Sequence, residues 1–204
     1  MVVSIDFYKI FVHKQNVKQD KFLSRLFGIF SEEIVRKWAS KNTQAPYEDL
    51  GRPTLKKNGK KLCTLDFAFK DKHTGKVYVA EQKCWLEYEN YKHLSLDSYE
   101  KLDYHLTDPS FCRFLDLGKT PEKYDIFVGG KQIEASGIIL VWGKVTDEGR
   151  TSVKSKHKIH DVLSLENIIE NLVNWKNPEY YKLLREKQEW CNQLYHELCP
   201  TKSF

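Results

Sequence analysis

Two carboxylates and a lysine interrupt the most apolar part of this chain, and their spacing would bring all three to one face of a β-hairpin. Residues 62–69 read Leu-Cys-Thr-Leu-Asp-Phe-Ala-Phe and residues 77–85 read Val-Tyr-Val-Ala-Glu-Gln-Lys-Cys-Trp. The polar, glycine-containing turn Lys-Asp-Lys-His-Thr-Gly lies between them. Pairing Asp71 with Lys76 sets a register in which Asp66 faces Glu81 and Thr64 faces Lys83, with Cys63 opposite Cys84 on the other side. Directly opposed residues of an antiparallel pair share a face, with Cβ atoms about 4.5–5.5 Å apart. Two like charges there destabilise a sheet unless a cation lies between them. A divalent ion with oxygen ligands is such a cation, and Lys83 extends the same face by two residues.

The plainer reading is a solvated strand face carrying an ordinary cross-strand ion pair. The chain has only one acidic-x-Lys triplet, Glu81-Gln82-Lys83, and it falls on the strand that follows Asp66. Its flanks are apolar: Leu62, Leu65, Phe67 and Phe69 on one strand, Val77, Val79 and Ala80 on the other. Polar groups set among such residues cost free energy unless they are satisfied or used.

Asp66, fourteen intervening residues and then Glu81-Gln82-Lys83 resemble the catalytic hairpin of the PD-(D/E)XK nucleases, the restriction-endonuclease-like family. Leu65 departs from the proline of the motif name, at a position that varies widely in that family. The resemblance implies one α/β nuclease domain over residues 1–204. Its core would be a central mixed β-sheet flanked by helices, of order αβββαβ, with an appended C-terminal helix. It also implies Mg²⁺, with Mn²⁺ able to substitute, held by Asp66, Glu81 and the backbone carbonyl of Gln82. Lys83 would then be the catalytic lysine beside the attacking water. In many of these nucleases the first core helix adds an acidic residue near the metal. Glu33, at the border of that helix's apolar stripe, is the candidate, while Glu32 points away.

The implied activity is endonucleolytic hydrolysis of DNA, leaving a 5′-phosphate and a 3′-hydroxyl. A restriction-type enzyme is the leading expectation, because the chain is a nuclease-sized domain without helicase motifs. Enzymes of this kind usually cut both strands as homodimers. A repair or recombination nuclease is the runner-up within the same chemistry. The competing class is a non-catalytic nucleic-acid-binding module or a subunit of a nuclease complex.

Charge distribution fits a nucleic-acid partner. The formal net charge is +5. Between Gly51 and Leu65 lie Arg52, Lys56, Lys57, Lys60 and Lys61 with no acidic residue. Beside a carboxylate pair that needs a phosphate-bearing substrate, these basic residues read as phosphate contacts near the cleaved bond. Lys144, Arg150, Lys154, Lys156, His157 and Lys158 make a second, weaker cluster. Trp85, Tyr88 and Tyr91 could stack on bases or simply fill a core.

Other chemistry is poorly supported. No Gly-x-Ser-x-Gly, Walker loop or GxGxxG occurs. The five cysteines form no CxxC pair, and Cys191, His196 and Cys199 do not share one helical face. Cys63 and Cys84 are expected as buried thiols. His73 and His105 read as surface histidines. No run of eighteen apolar residues and no secretory leader is seen, so no membrane association and a cytoplasmic location are expected.

The elements that must position the triad follow from periodicity. Residues 2–12 read as a short strand or extended arm, 19–41 as an amphipathic helix and 42–53 as a loop. A three-strand meander covers 53–57, 60–70 and 76–86, its first turn the hairpin-favouring Asn58-Gly59. Helices are expected over 95–106 and up to Gly118. A buried strand spans 137–143 with a neighbour over 157–163, and helices follow from Ser164 and from Pro178.

Overall fold

The computed structural model describes residues 3–12, 16–84 and 91–199. The chain forms α1 (Phe7–Phe11), α2 (Val17–Trp38), β1 (Tyr47–Asp49), β2 (Pro53–Lys57), β3 (Lys60–Thr64), β4 (Phe67–Asp71) and β5 (Val77–Lys83). Then come β6 (Ser95–Leu96), a 3₁₀ helix (Tyr99–Thr107), α3 (Pro109–Lys119), β7 (Asp125–Val128), β8 (Lys131–Ile133) and β9 (Ile138–Trp142). The last elements are β10 (Lys144–Val145), α4 (Asp147–His157), β11 (Asp161–Ser164), α5 (Leu165–Asn174) and α6 (Pro178–Leu198).

The expected mixed α/β architecture is present. One sheet has the order β1-β4-β5-β9-β11. Its β1, β4 and β5 run antiparallel, whereas β9 is parallel to β5 and β11 is parallel to β9. The unbroken apolar run of β9 is explained by cover on both faces. Ile139 and Val141 enter a core shared with α2 and α5, and Ile138, Leu140 and Trp142 enter a second core shared with α3. Helix α2 starts under an Asn16 cap that accepts the Gln19 N–H, and it buries Phe27, Ile34, Val35 and Trp38.

A second, antiparallel sheet of order β3-β2-β7-β8 lies beside the first. The strand expected over 60–70 is therefore two strands in two sheets. Leu65 still donates to Pro53 O at 2.9 Å, whereas Ala68 donates to Gly51 O at 2.8 Å, so the chain changes sheets at Asp66. In consequence Thr64 pairs with Thr54, not Lys83, and Cys63 pairs with Leu55, not Cys84. All five cysteines are free thiols. The turn at Asn58-Gly59 forms as expected, with φ of 51° and 75° matching what a two-residue hairpin demands.

Other expectations change for local reasons. The arm over 2–12 contains α1, capped by the Asp6 carboxylate. Ahead of it, the Val3, Ile5 and Phe7 amides donate to Asn174 Oδ1, Glu170 Oε1 and Glu166 Oε1, one turn apart on α5. The loop over 42–53 contains the edge strand β1. The segment over 95–106 is a short strand followed by a 3₁₀ helix, whose three-residue repeat turns Leu102 and His105 inward and leaves Leu106 exposed. His105 is therefore buried, not at the surface. The basic stretch 144–158 is largely α4; there Arg150 pairs with Asp161 at 3.2 Å and Lys144 with Glu166 at 3.2 Å. Gly149 is obligatory in that helix, since a Cβ would lie 2.0 Å from Leu96 O. No helix among the described residues is long and apolar enough to cross a membrane.

Candidate active site

The β4–β5 hairpin keeps the register read from its turn. Asp71 N donates to Lys76 O, and the pairs Lys70–Val77, Phe69–Tyr78, Ala68–Val79 and Phe67–Ala80 follow. One step further, Asp66 stands opposite Glu81. Ladder pairing ends there, and the Asp66 carboxylate takes its place: Oδ2 accepts the Gln82 N–H at 2.8 Å. Asp66 is held from behind by Arg36 of α2, which donates to its carbonyl at 2.9 Å and pairs with Asp49 at 2.6 Å. Arg52 reaches the front of Asp66, with Nη2 3.4 Å from Oδ1. That pair is half exposed and therefore weak.

Strand alternation sorts β5. Val79, Glu81 and Lys83 face the α3 side, and Tyr78, Ala80 and Gln82 face α2. The Gln82 side chain accordingly leaves the carboxylates and donates to Ser31 Oγ of α2 at 2.7 Å. Its backbone is another matter. Val79 N–H points to β9, where it meets Gly137 O, so the even-numbered residues of β5 turn their backbone groups toward β4. The Gln82 carbonyl thus opens on the same side as Asp66, beyond the end of β4.

Glu81 is only 6% exposed, and among the described residues its Oε2 has no hydrogen-bond partner. Burial and then the Asp66 charge push its carboxyl up to about 7, although Lys83 pulls the other way. Lys83 Nζ lies 2.9 Å from Glu81 Oε1 and 3.1 Å from Asp108 Oδ2. Burial disfavours the Lys83 charge, but these two carboxylates outweigh it and raise its pKa above the ordinary lysine value. The lysine is therefore an ammonium in this structure, not the depressed base that a metal beside it could create. His105 lies next to this cluster, against Trp142 and Phe111, and burial together with Lys83 lowers it to about 4.

The site differs from the sequence expectation in three places. Glu33 is not at the carboxylates: its Oε1 lies 2.6 Å from Lys187 of α6. Glu32 takes the nearer position, where burial and the Asp66 charge raise its carboxyl and Arg36 approaches to 3.6 Å. Lys56, Lys57, Lys60 and Lys61 sit at the β2–β3 turn, the end of the second sheet remote from Asp66, so of the basic residues expected near the cleaved bond only Arg52 reaches the carboxylates. Asp108 was not singled out in the sequence. Its one signal is Thr-Asp-Pro-Ser, a helix N-cap pattern that gives no hint of a lysine partner. Trp85 and Tyr88 lie outside the described residues.

Among the described residues no three His, Cys, Asp or Glu side chains gather in a way that would hold a metal ion. The oxygen set that is present suits Mg²⁺ all the same, because that ion takes one or two carboxylates and keeps several waters. The buried, unpartnered oxygen of Glu81, a residue whose carboxyl feels the Asp66 charge, is the sign of fit. Comparison with known proteins gives no match: no family model, no curated protein and no solved structure is similar to this chain.

Proposed function

We propose that this chain is a Mg²⁺-dependent nuclease that hydrolyses phosphodiester bonds in DNA, with a restriction-endonuclease-like core. The order α2, antiparallel β1-β4-β5, α3 and then β9 parallel to β5 supports that core, since it follows αβββαβ. One observation carries the chemistry: Asp66 and Glu81 oppose each other in a buried hairpin, with an unsatisfied Glu81 oxygen and Lys83 alongside.

Asp66, Glu81 and the Gln82 carbonyl would hold the ion, with Mn²⁺ as a substitute. Bound there, Mg²⁺ would supply Lewis-acid stabilisation of phosphate charge and a bound water of lowered pKa. The protein's own groups do the rest. Lys83, a cation at neutral pH, donates to the attacking water and to the developing negative charge on phosphate. Arg52, half exposed in front of Asp66, grips a phosphate beside the bond to be cut. The lysines of the β2–β3 turn contact the duplex further along. A restriction role and cutting of both strands by a homodimer extend this reading.

The test is incubation of supercoiled plasmid with Mg²⁺, with EDTA and with the Lys83→Ala variant. Cleavage is expected only for the unaltered protein in Mg²⁺, with the variant at least about a hundredfold slower. A second reading, a DNA-binding module without chemistry, draws on the Lys83–Glu81 ion pair, which neutralises one carboxylate without any metal. Intact plasmid that is still retarded in a gel would favour it and sink the nuclease.

A further inference from the structure

Asp108 belongs neither to the hairpin nor to α2, yet it holds half of Lys83. Its two oxygens have separate tasks. Oδ1 accepts the Ser110 N–H at 2.8 Å and caps α3, and Oδ2 lies 3.1 Å from Lys83 Nζ. Pro109 at the first helical position fixes the backbone beside it. The carboxylate is thus set by the fold rather than by the lysine. Among the described residues the ammonium also meets Glu81 Oε1 at 2.9 Å and the Phe111 ring, whose centroid is 5.3 Å away, with His105 close enough to feel its charge.

Glu81 cannot serve the Lys83 ammonium and a divalent cation equally well, because two positive charges at contact distance repel. Lys83 has a flexible four-carbon stem and a second anion already in reach. We propose that Asp108 is a positioning residue that receives the Lys83 ammonium when a divalent cation enters at Glu81, and so sets both metal affinity and the place of the lysine. This inference rests on the nuclease reading for the presence of the cation. Asp108 acts as the parking place: without its charge, Lys83 stays on Glu81 and competes with the metal.

Asp108→Asn isolates the charge, since asparagine caps a helix as well as aspartate does. Mn²⁺ is titrated calorimetrically into the full chain, its D108N and K83M variants and the double variant, and urea unfolding is followed for each. Expected is Mn²⁺ binding about tenfold weaker in D108N, within the usual range for coupled sites, at nearly unchanged stability. In the K83M background the same substitution should change binding by less than about threefold, because the competitor is gone. Equal Mn²⁺ affinity in the wild type and D108N would overturn the inference while leaving the nuclease reading intact. So would an undiminished tenfold effect in the K83M background. Absence of Mn²⁺ binding by the wild-type protein would instead remove the nuclease reading, and the inference with it.

Discussion

At the scale of the residue, Glu81 gives the site a measurable pH dependence. Burial, and then Asp66, raises its carboxyl to about 7 in the folded protein. The folded chain therefore holds a proton that the unfolded chain releases near the ordinary glutamate value. Stability from this group is full below that ordinary value and is lost as pH rises through about 7. In EDTA, the urea midpoint of the wild type is expected to fall between about pH 5 and pH 8. The Glu81→Gln variant should fall clearly less over the same window. Adding Mg²⁺ at the higher pH should restore the wild type and leave the variant unmoved. Superimposable profiles for the two proteins would mean that Glu81 is not the strained acid described above.

At the scale of the element, α2 decides which acidic residue approaches the hairpin. Glu33 pairs with Lys187 on α6, and Glu32 turns toward Asp66. Glu33→Ala should leave plasmid cleavage within about twofold and cost on the order of 1 kcal/mol, since the Glu33 carboxylate itself is half exposed. Glu32→Ala should lower cleavage more than tenfold if that carboxylate assists the site. The reverse order of effects would restore Glu33. The hairpin was legible because its register follows from one turn and from alternation, both local properties. The Glu32–Glu33 choice was not, since a residue at the border of an apolar stripe is assigned by whichever helix packs there. In this chain that helix is α6, about 150 residues downstream. Asp108 was hidden for a related reason: its capping role is local, and its lysine partner comes from a distant strand. The segment over 95–106 misled because Leu96, Tyr99, Leu102 and Leu106 fit an α-helical stripe, whereas the chain uses a three-residue repeat.

At the scale of the whole molecule, the proposed nuclease reading makes the second sheet an extension of the DNA contact. From Lys60 to Asp66 the chain runs up to about 20 Å at roughly 3.3 Å per residue, which spans about five or six base pairs of duplex at 3.4 Å each. Replacing Lys57, Lys60 and Lys61 by Glu should weaken binding to long duplexes and flatten the dependence of log affinity on log salt by about one unit per lost phosphate contact. Cleavage of duplexes too short to reach the turn should be unaffected. Loss of activity on short and long duplexes alike would place those lysines at the cut. The passage of one strand between two sheets has a thermodynamic consequence as well. Leu65 is fully buried in the core under α3, and Phe67, two residues on, is fully buried in the core under α2. Melting either core therefore pulls on the same three residues, and the two sheets are expected to unfold together in one transition, with tryptophan fluorescence and far-UV circular dichroism giving the same urea midpoint.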